Sequence, residues 1–404
     1  MNYDLFYGEN ADEIFIEKRI NDLRETFFNA EGVYPEKIFS SPGRAEILGN
    51  HTDHNCGKVI VASISCDILS AVKKTTDGKI KIVSEGFPPI SVDLSDLERK
   101  ESEKGTSTAL CKGVANALKQ KNLPIGGFTA YITSNVFKGA GVSSSASFEV
   151  LIAEIFNALY LGCKLTAVEK AVVSQYAENE YFGKPCGLLD QSGIAIGGLT
   201  KLDFKVPTSP VITPLKAPVG YTLVITNTGG DHASLTPYYA SIRKEMEEVA
   251  EYFGKKVLRE VPYSEFYEHI GELKQKFKGR AILRALHFYE ENERVDEAEN
   301  ALLAGNTKEF LKAIEKSGLS SLNKLQNCLV PGDENQPVVL GIELSRRIIK
   351  DGAVRVHGGG FAGSILAVVN DKEVESYVAE MKKWFGSENV FVASIRPIGT
   401  AEIK

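Results

Sequence analysis

The chain has 404 residues, 47 Lys and Arg against 53 Asp and Glu, and a formal net charge of -6. That length exceeds one ordinary hydrophobic core and implies two domains, while 43% hydrophobic and 25% charged residues is the composition of a soluble globular protein. The acidic balance excludes a broad nucleic-acid footprint, which needs clustered Lys and Arg to replace phosphate counterions.

From the start, Met1 to Asn10 shows neither the basic nor the apolar region of a secretory signal. The longest apolar stretch, Val59 to Val72, is interrupted by Ser63, Ser65 and Asp67, so no membrane span is expected. Cys56, Cys66, Cys111, Cys163, Cys186 and Cys328 are dispersed with no CxxC pair, as expected of reduced thiols in the cytoplasm. Gly57 to Ser65 is rich in β-branched residues, and Lys79 to Ser84 and Phe128 to Thr133 alternate with period 2, so all three read as strands. Phe148, Leu151, Ile152, Ile155, Phe156 and Leu159 then follow helical spacing. Thr166 and Glu169 form the capping box of a second helix, expected to end near Gly183. Pro207, Pro210 and Pro214 mark a boundary within 205–220. Beyond it, Tyr221 to Thr226, Ala353 to His357, Ile365 to Val369 and Val390 to Ile395 read as strands. Tyr239 to Phe253 and Lys308 to Lys316 read as helices. The pattern predicts an α+β protein in two halves, 1–210 and 211–404.

Four segments carry chemistry. Pro42 to Asn55 concentrates Arg44, Asn50, His51, Thr52, Asp53 and His54 between apolar neighbours, a set able to bind several hydroxyls at once. An Asx-rich turn or a metal site on His51, Asp53 and His54 are the other readings, the second lacking further ligands at a recognisable spacing. Gly139 to Ser147, between a strand and a strong helix, reads either as a phosphate cradle or as a capped, flexible loop. It is neither a Walker A sequence nor a dinucleotide fingerprint. Gly187-Leu188-Leu189-Asp190-Gln191 places a carboxylate in a Gly-rich turn, either catalytic with Arg44 as its partner or a structural cap. His357 to Gly363 could be an esterase oxyanion loop, but no Gly-x-Ser-x-Gly elbow accompanies it, which leaves a tight turn.

Taken in this order, the four segments resemble the galactokinases of the GHMP small-molecule kinase family. That family's sugar motif, Gly-Arg-(x)4-Gly-Glu-His-Thr-Asp-Tyr-Asn, is similar to Gly43 through Asn55. Its Gly-Leu-Ser-Ser-Ser-Ala-Ser loop resembles Gly141 to Ser147, its Pro-Cys-Gly-x-Met-Asp-Gln resembles Pro185 to Gln191, and its Gly-Gly-Gly-Phe-Gly-Gly resembles Gly358 to Gly363. The resemblance implies a ribosomal-protein-S5-like N-terminal half, a ferredoxin-like C-terminal half, and ATP bound over Gly139, Ala140, Gly141, Val142, Ser143, Ser144 and Ser145. It implies Mg²⁺ on Ser145 and Glu178, Asp190 as catalytic carboxylate with Arg44 beside it, and a sugar pocket of Asn50, His51, Thr52, Asp53, Gly187 and Tyr239. A cytoplasmic, monomeric sugar 1-kinase is expected, with no nucleic-acid or membrane partner. Asn50 replaces the family's Glu and His54 its Tyr, and a lost hydrogen bond of roughly 1–3 kcal/mol could move the favoured sugar from galactose to N-acetylgalactosamine, a pentose or another hexose. A non-catalytic galactose and ATP sensor and a non-sugar GHMP kinase are the remaining alternatives, the latter disfavoured by His51-Thr52-Asp53.

Overall fold

The computed structural model describes residues 3–8, 11–136, 141–230 and 235–404. Two sheets organise these residues. The first has the path β12-β1-β2-β5-β3-β4, with β6 and β7 attached beside β2. Its strands are β1 (Lys37–Leu48), β2 (Lys58–Lys74), β3 (Lys79–Ser84), β4 (Ile90–Asp93), β5 (Phe128–Ser134), β6 (Leu199–Asp203), β7 (Val211–Leu215) and β12 (Ala401–Ile403). The 17-residue β2 is long enough to serve two partners on one edge, β6 along Lys58 to Ala62 and β5 along Ile68 to Lys74. The second sheet has the order β11-β8-β10-β9, from β8 (Tyr221–Asn227), β9 (Gly352–His357), β10 (Ser364–Asn370) and β11 (Val390–Ala393).

The strands and helices expected from periodicity are present with shifted ends. The capping box of Thr166 and Glu169 opens the Ala167–Tyr176 helix, which continues as a π-turn to Phe182 and stops at left-handed Gly183. Two elements lie outside those expected. The Pro-rich stretch contains a strand, β7, because an edge strand tolerates Pro214 without losing a ladder bond it must donate. The helix Gly279–Leu303, 25 residues long, is absent from the sequence reading, since charged residues dilute its apolar stripe.

One core runs under both sheets. It joins Ile60, Ala62, Ile82 and Phe128 to Leu223, Ile225, Leu366 and Val368 of the second sheet and to Val295 and Ile314 of the covering helices. Strands from both sides of residue 210 share the first sheet, since β7 and β12 belong to it. Two bulges in β1, at Pro42/Gly43 and Glu46/Leu48, frame a regular stretch in which Arg44 pairs with Ser63 and Glu46 with Val61. With a two-residue period, Arg44 and Glu46 therefore stand on one face of the strand. No helix among the described residues is long and apolar enough to cross a membrane.

Candidate active site

A cleft of about 390 Å³ lies where β1, the loop after it, the start of the Ser144–Tyr160 helix and the His357–Gly360 turn meet. Arg44, His51, Asp53, Gly141 to Ser145, Gly187, Asp190 and Tyr239 all line it, so three of the four sequence segments plus Tyr239 converge, and Gly358 and Gly359 bring in the fourth. Gly139 and Ala140 lie outside the described residues.

Asp190 joins two of these motifs. Its Oδ1 accepts from Arg44 Nε at 2.7 Å and its Oδ2 from Ser143 Oγ at 2.5 Å. Burial pushes this carboxyl up, but the Arg44 guanidinium and the two hydrogen bonds outweigh it and hold Asp190 below its usual range. Arg44 also donates to the Gly141 carbonyl. Ser143 sits in left-handed backbone at the N-cap of its helix and makes no side-chain cap bond, because its hydroxyl is turned to Asp190.

Asp53 supports the same region from the other side. Its Oδ2 accepts from Leu189 N–H at 3.1 Å, in the first turn of the Leu189–Ile196 helix that carries Asp190, and its Oδ1 accepts from His54 N–H at 2.9 Å. Burial raises its carboxyl, an effect the Leu189 N–H opposes. Gly187 is required here, since a Cβ would lie 1.9 Å from Asp53 Oδ2.

The glycine turn is a bracket for the sugar motif, not an oxyanion loop. The Gly359 carbonyl accepts from His51 Nε2 at 3.0 Å, which fixes the tautomer, and burial lowers the His51 pKa to about 4, keeping the ring neutral. The Gly360 carbonyl accepts from Tyr239 Oη at 2.9 Å, and the Tyr239 ring stands edge-on to Phe361. His54 lines the cleft; its Nδ1 accepts from Asn55 Nδ2 at 2.9 Å, and its buried Nε2 has no partner among the described residues.

Two expected sugar contacts are corrected. Asn50 and Thr52 are fully buried at 0% exposure and do not line the cleft. Asn50 Nδ2 donates to Glu46 Oε1 at 2.7 Å and to the Gly358 carbonyl at 2.8 Å, while its Oδ1 accepts from Asn327 Nδ2 at 2.8 Å. The Thr52 hydroxyl lies within hydrogen-bond reach of the Gly49 and Lys58 carbonyls and braces the loop. The turn that sets His51 into left-handed backbone points its neighbours inward. Their backbone is held by residues that carried no signal in the sequence, on the helix it did not reveal. Glu291 Oε1 accepts from Gly49 N–H at 3.0 Å, and His287 Nε2 donates to the Asn50 carbonyl at 2.8 Å. Burial opposes ionisation of Glu291, but Arg294 and its other partners hold its pKa down to about 2.

Beside the helix start, Ser145 Oγ donates to Glu178 Oε1 at 3.0 Å, and Lys184 Nζ lies 3.2 Å from the same oxygen. Gln191 Nε2 donates to Glu178 Oε2 at 2.7 Å and to Glu149 Oε2 at 3.2 Å. Burial, then the nearby Glu178, raise the Glu149 carboxyl well above its usual range. A lysine drawn onto a buried carboxylate shows that this corner accepts positive charge, and Glu149 Oε1 and the Gln191 amide oxygen are buried without a partner among the described residues. Hydroxyl and carboxylate oxygens suit Mg²⁺, which takes one or two carboxylates and completes its shell with water and phosphate. No group of three or more His, Cys, Asp or Glu among the described residues could hold a metal, so the His51, Asp53 and His54 metal reading has no support.

Residues 109–198 match the GHMP kinases N terminal domain, and residues 25–74 match the galactokinase galactose-binding signature. The fold and this site thus define a small-molecule kinase of the GHMP class. The chain is 31% identical over 95% of its length to the galactokinase of Clostridium tetani, covering 98% of that protein. It superimposes on the crystal structure of Lactococcus lactis galactokinase complexed with galactose with a TM-score of 0.84 and 26% identity, covering 95% of this chain and 100% of the other. Methanococcus jannaschii mevalonate kinase shares the fold at a TM-score of 0.62 and 17% identity, covering 89% of this chain and 98% of that one. The chain belongs to the galactokinase family, an ATP-using kinase family.

Proposed function

We infer that the chain is a galactokinase that transfers the γ-phosphoryl group of ATP to the anomeric hydroxyl of galactose, giving galactose 1-phosphate and ADP. The observation that carries this reading is Asp190, held between Arg44 of the sugar motif and Ser143 of the Ser-rich loop, so that one carboxylate faces both substrates. The named relatives and the galactose-binding signature support the choice of sugar.

Phosphoryl transfer is mainly positioning plus neutralisation of spread negative charge. Asp190 orients the anomeric hydroxyl and accepts its proton. Arg44 keeps Asp190 ionised and lies close enough to offset charge on the transferring group. His51, Asp53, Gly187 and Tyr239 form the sugar side of the cleft. Gly139 to Ser145 supply backbone donors to the phosphates at the start of the Ser144–Tyr160 helix, whose N-cap Ser143 makes no side-chain cap bond. Ser145 and Glu178 would hold Mg²⁺, which supplies charge neutralisation at the β- and γ-phosphates when bound. Residues 1–210 carry Arg44, the Ser-rich loop and Asp190, and residues 211–404 contribute Tyr239 and the glycine turn. A monomer working in the cytoplasm completes the reading.

The test is ADP release from ATP and Mg²⁺ across a panel of sugars, with Asp190→Ala as control. Fast, Asp190-dependent turnover on galactose is the expected result. Turnover on another sugar alone would replace galactose as substrate, and binding of galactose and ATP without turnover would make the chain a sensor.

A further inference from the structure

The cleft wall contains a carboxylate that the catalytic reading does not use. Asp190 is engaged by Arg44 and Ser143, and Asp53 by two backbone N–H groups. Glu46 is different. Both of its side-chain hydrogen bonds with described residues end on one oxygen: Oε1 accepts from Asn50 Nδ2 at 2.7 Å and from Arg355 Nη2 at 2.9 Å. Glu46 lines the cleft at 5% exposure, and Oε2 takes no hydrogen bond from a described residue.

The group is rigidly placed. Arg355 is fully buried and anchored on the Ile47 carbonyl at 2.9 Å. Asn50, fixed on its far side by Asn327 and Gly358, cannot swing into the cleft. The Glu46 N–H donates to His357 Nε2 at 3.1 Å, which pins the backbone. Glu46 also stands two residues beyond Arg44 on the same strand face, roughly 7 Å along β1. A hexose whose anomeric oxygen meets Asp190 would therefore lay another hydroxyl against Glu46. Burial lifts this carboxyl to about 7 despite Arg355 and Arg44. A hydroxyl can both donate and accept, so it matches Oε2 in either protonation state, whereas a hydrogen atom or a methyl group matches neither.

Resting on the sugar-kinase reading above, we propose that Glu46, and not Asn50, is the specificity-determining side chain of the sugar site, through a hydrogen bond to one non-anomeric hydroxyl. Asn50 is a positioning residue that holds Glu46 in place.

A residue-by-substrate cycle tests this. Wild type and Glu46→Gln are assayed for kcat/KM on galactose and on its 2-, 3-, 4- and 6-deoxy forms. Glu46→Gln keeps an acceptor oxygen for Arg355 and Asn50 but loses the charge assistance toward the cleft. The expected penalty on galactose is about tenfold, and it disappears on the one deoxy sugar that lacks the partner hydroxyl. An equal penalty on all four deoxy sugars, or none on galactose, would overturn the assignment, since a purely structural role cannot single out one hydroxyl. If Glu46→Gln melts early, Glu46→Asp, which retains the charge but withdraws it by one methylene, is put through the same cycle. Wild-type inertness toward galactose with activity on another sugar would overturn the galactose reading instead, and the cycle would be run on deoxy forms of that sugar. Inertness toward every sugar would overturn both.

Discussion

Two Asp–Arg centres in this molecule are built from the same parts and do opposite things. Asp67 accepts from Tyr7 Oη at 2.7 Å, Arg19 Nη1 at 2.8 Å and Ser40 Oγ at 2.5 Å, and its side chain is 0% exposed. Asp190 accepts from Arg44 and Ser143 at comparable distances, yet its side chain is 30% exposed. The first centre is closed, with donors on every side and the apolar residues Phe27, Ile38 and Leu69 nearby, and it ties the N-terminal helices to the sheet. The second has one side open to the cleft. Ion pairing and hydroxyl donors therefore do not mark a catalytic carboxylate; the space left beside it does.

Mutation should separate the two. Asp190→Ala is expected to lower kcat by about 10³-fold, the scale of a lost general base, with little change in melting temperature because water can reach the site. Retention of rapid turnover would remove Asp190 from its role. Asp67→Ala should do the reverse, costing roughly 3–5 kcal/mol in denaturant unfolding by leaving Arg19 and Tyr7 without their partner, while the folded fraction keeps its kcat. A fall in kcat without a loss of stability would make the closed centre functional and erase the contrast. The smallest effect is in pH. Asp190 is held below the usual carboxylate range, so the acid limb of kcat/KM should lie below that of an ordinary aspartate. Arg44→Met removes the main opposing charge and leaves burial dominant, so the limb should move to higher pH along with a lower rate. An unmoved limb would show that Arg44 does not set the ionisation of Asp190.

Much of the site could be read in the chain because its parts are local. Ser143 to Ser145, Gly187 and Asp190 lie in short segments that match the family's motifs in the same order along the chain. Asn50 and Thr52 were misplaced because sequence gives identity without direction: neighbours in a tight loop point to opposite sides, and only the bracket of Gly358, Asn327 and Glu291 decides which. Glu46 was one carboxylate in an apolar strand. Its significance depends on Arg355, which is 309 residues away.

The sequence by itself determined the secondary-structure periods, the helix cap at Thr166, the Ser-rich loop and the family to which the chain belongs, since each depends on residues adjacent along the chain. Tertiary structure alone decided that β12 returns to the first sheet, that Asp53 meets the helix of Asp190, and that Glu46 rather than Asn50 faces the cleft. Those are contacts between distant segments, where burial and hydrogen-bond satisfaction act on the folded whole, and no local pattern encodes them.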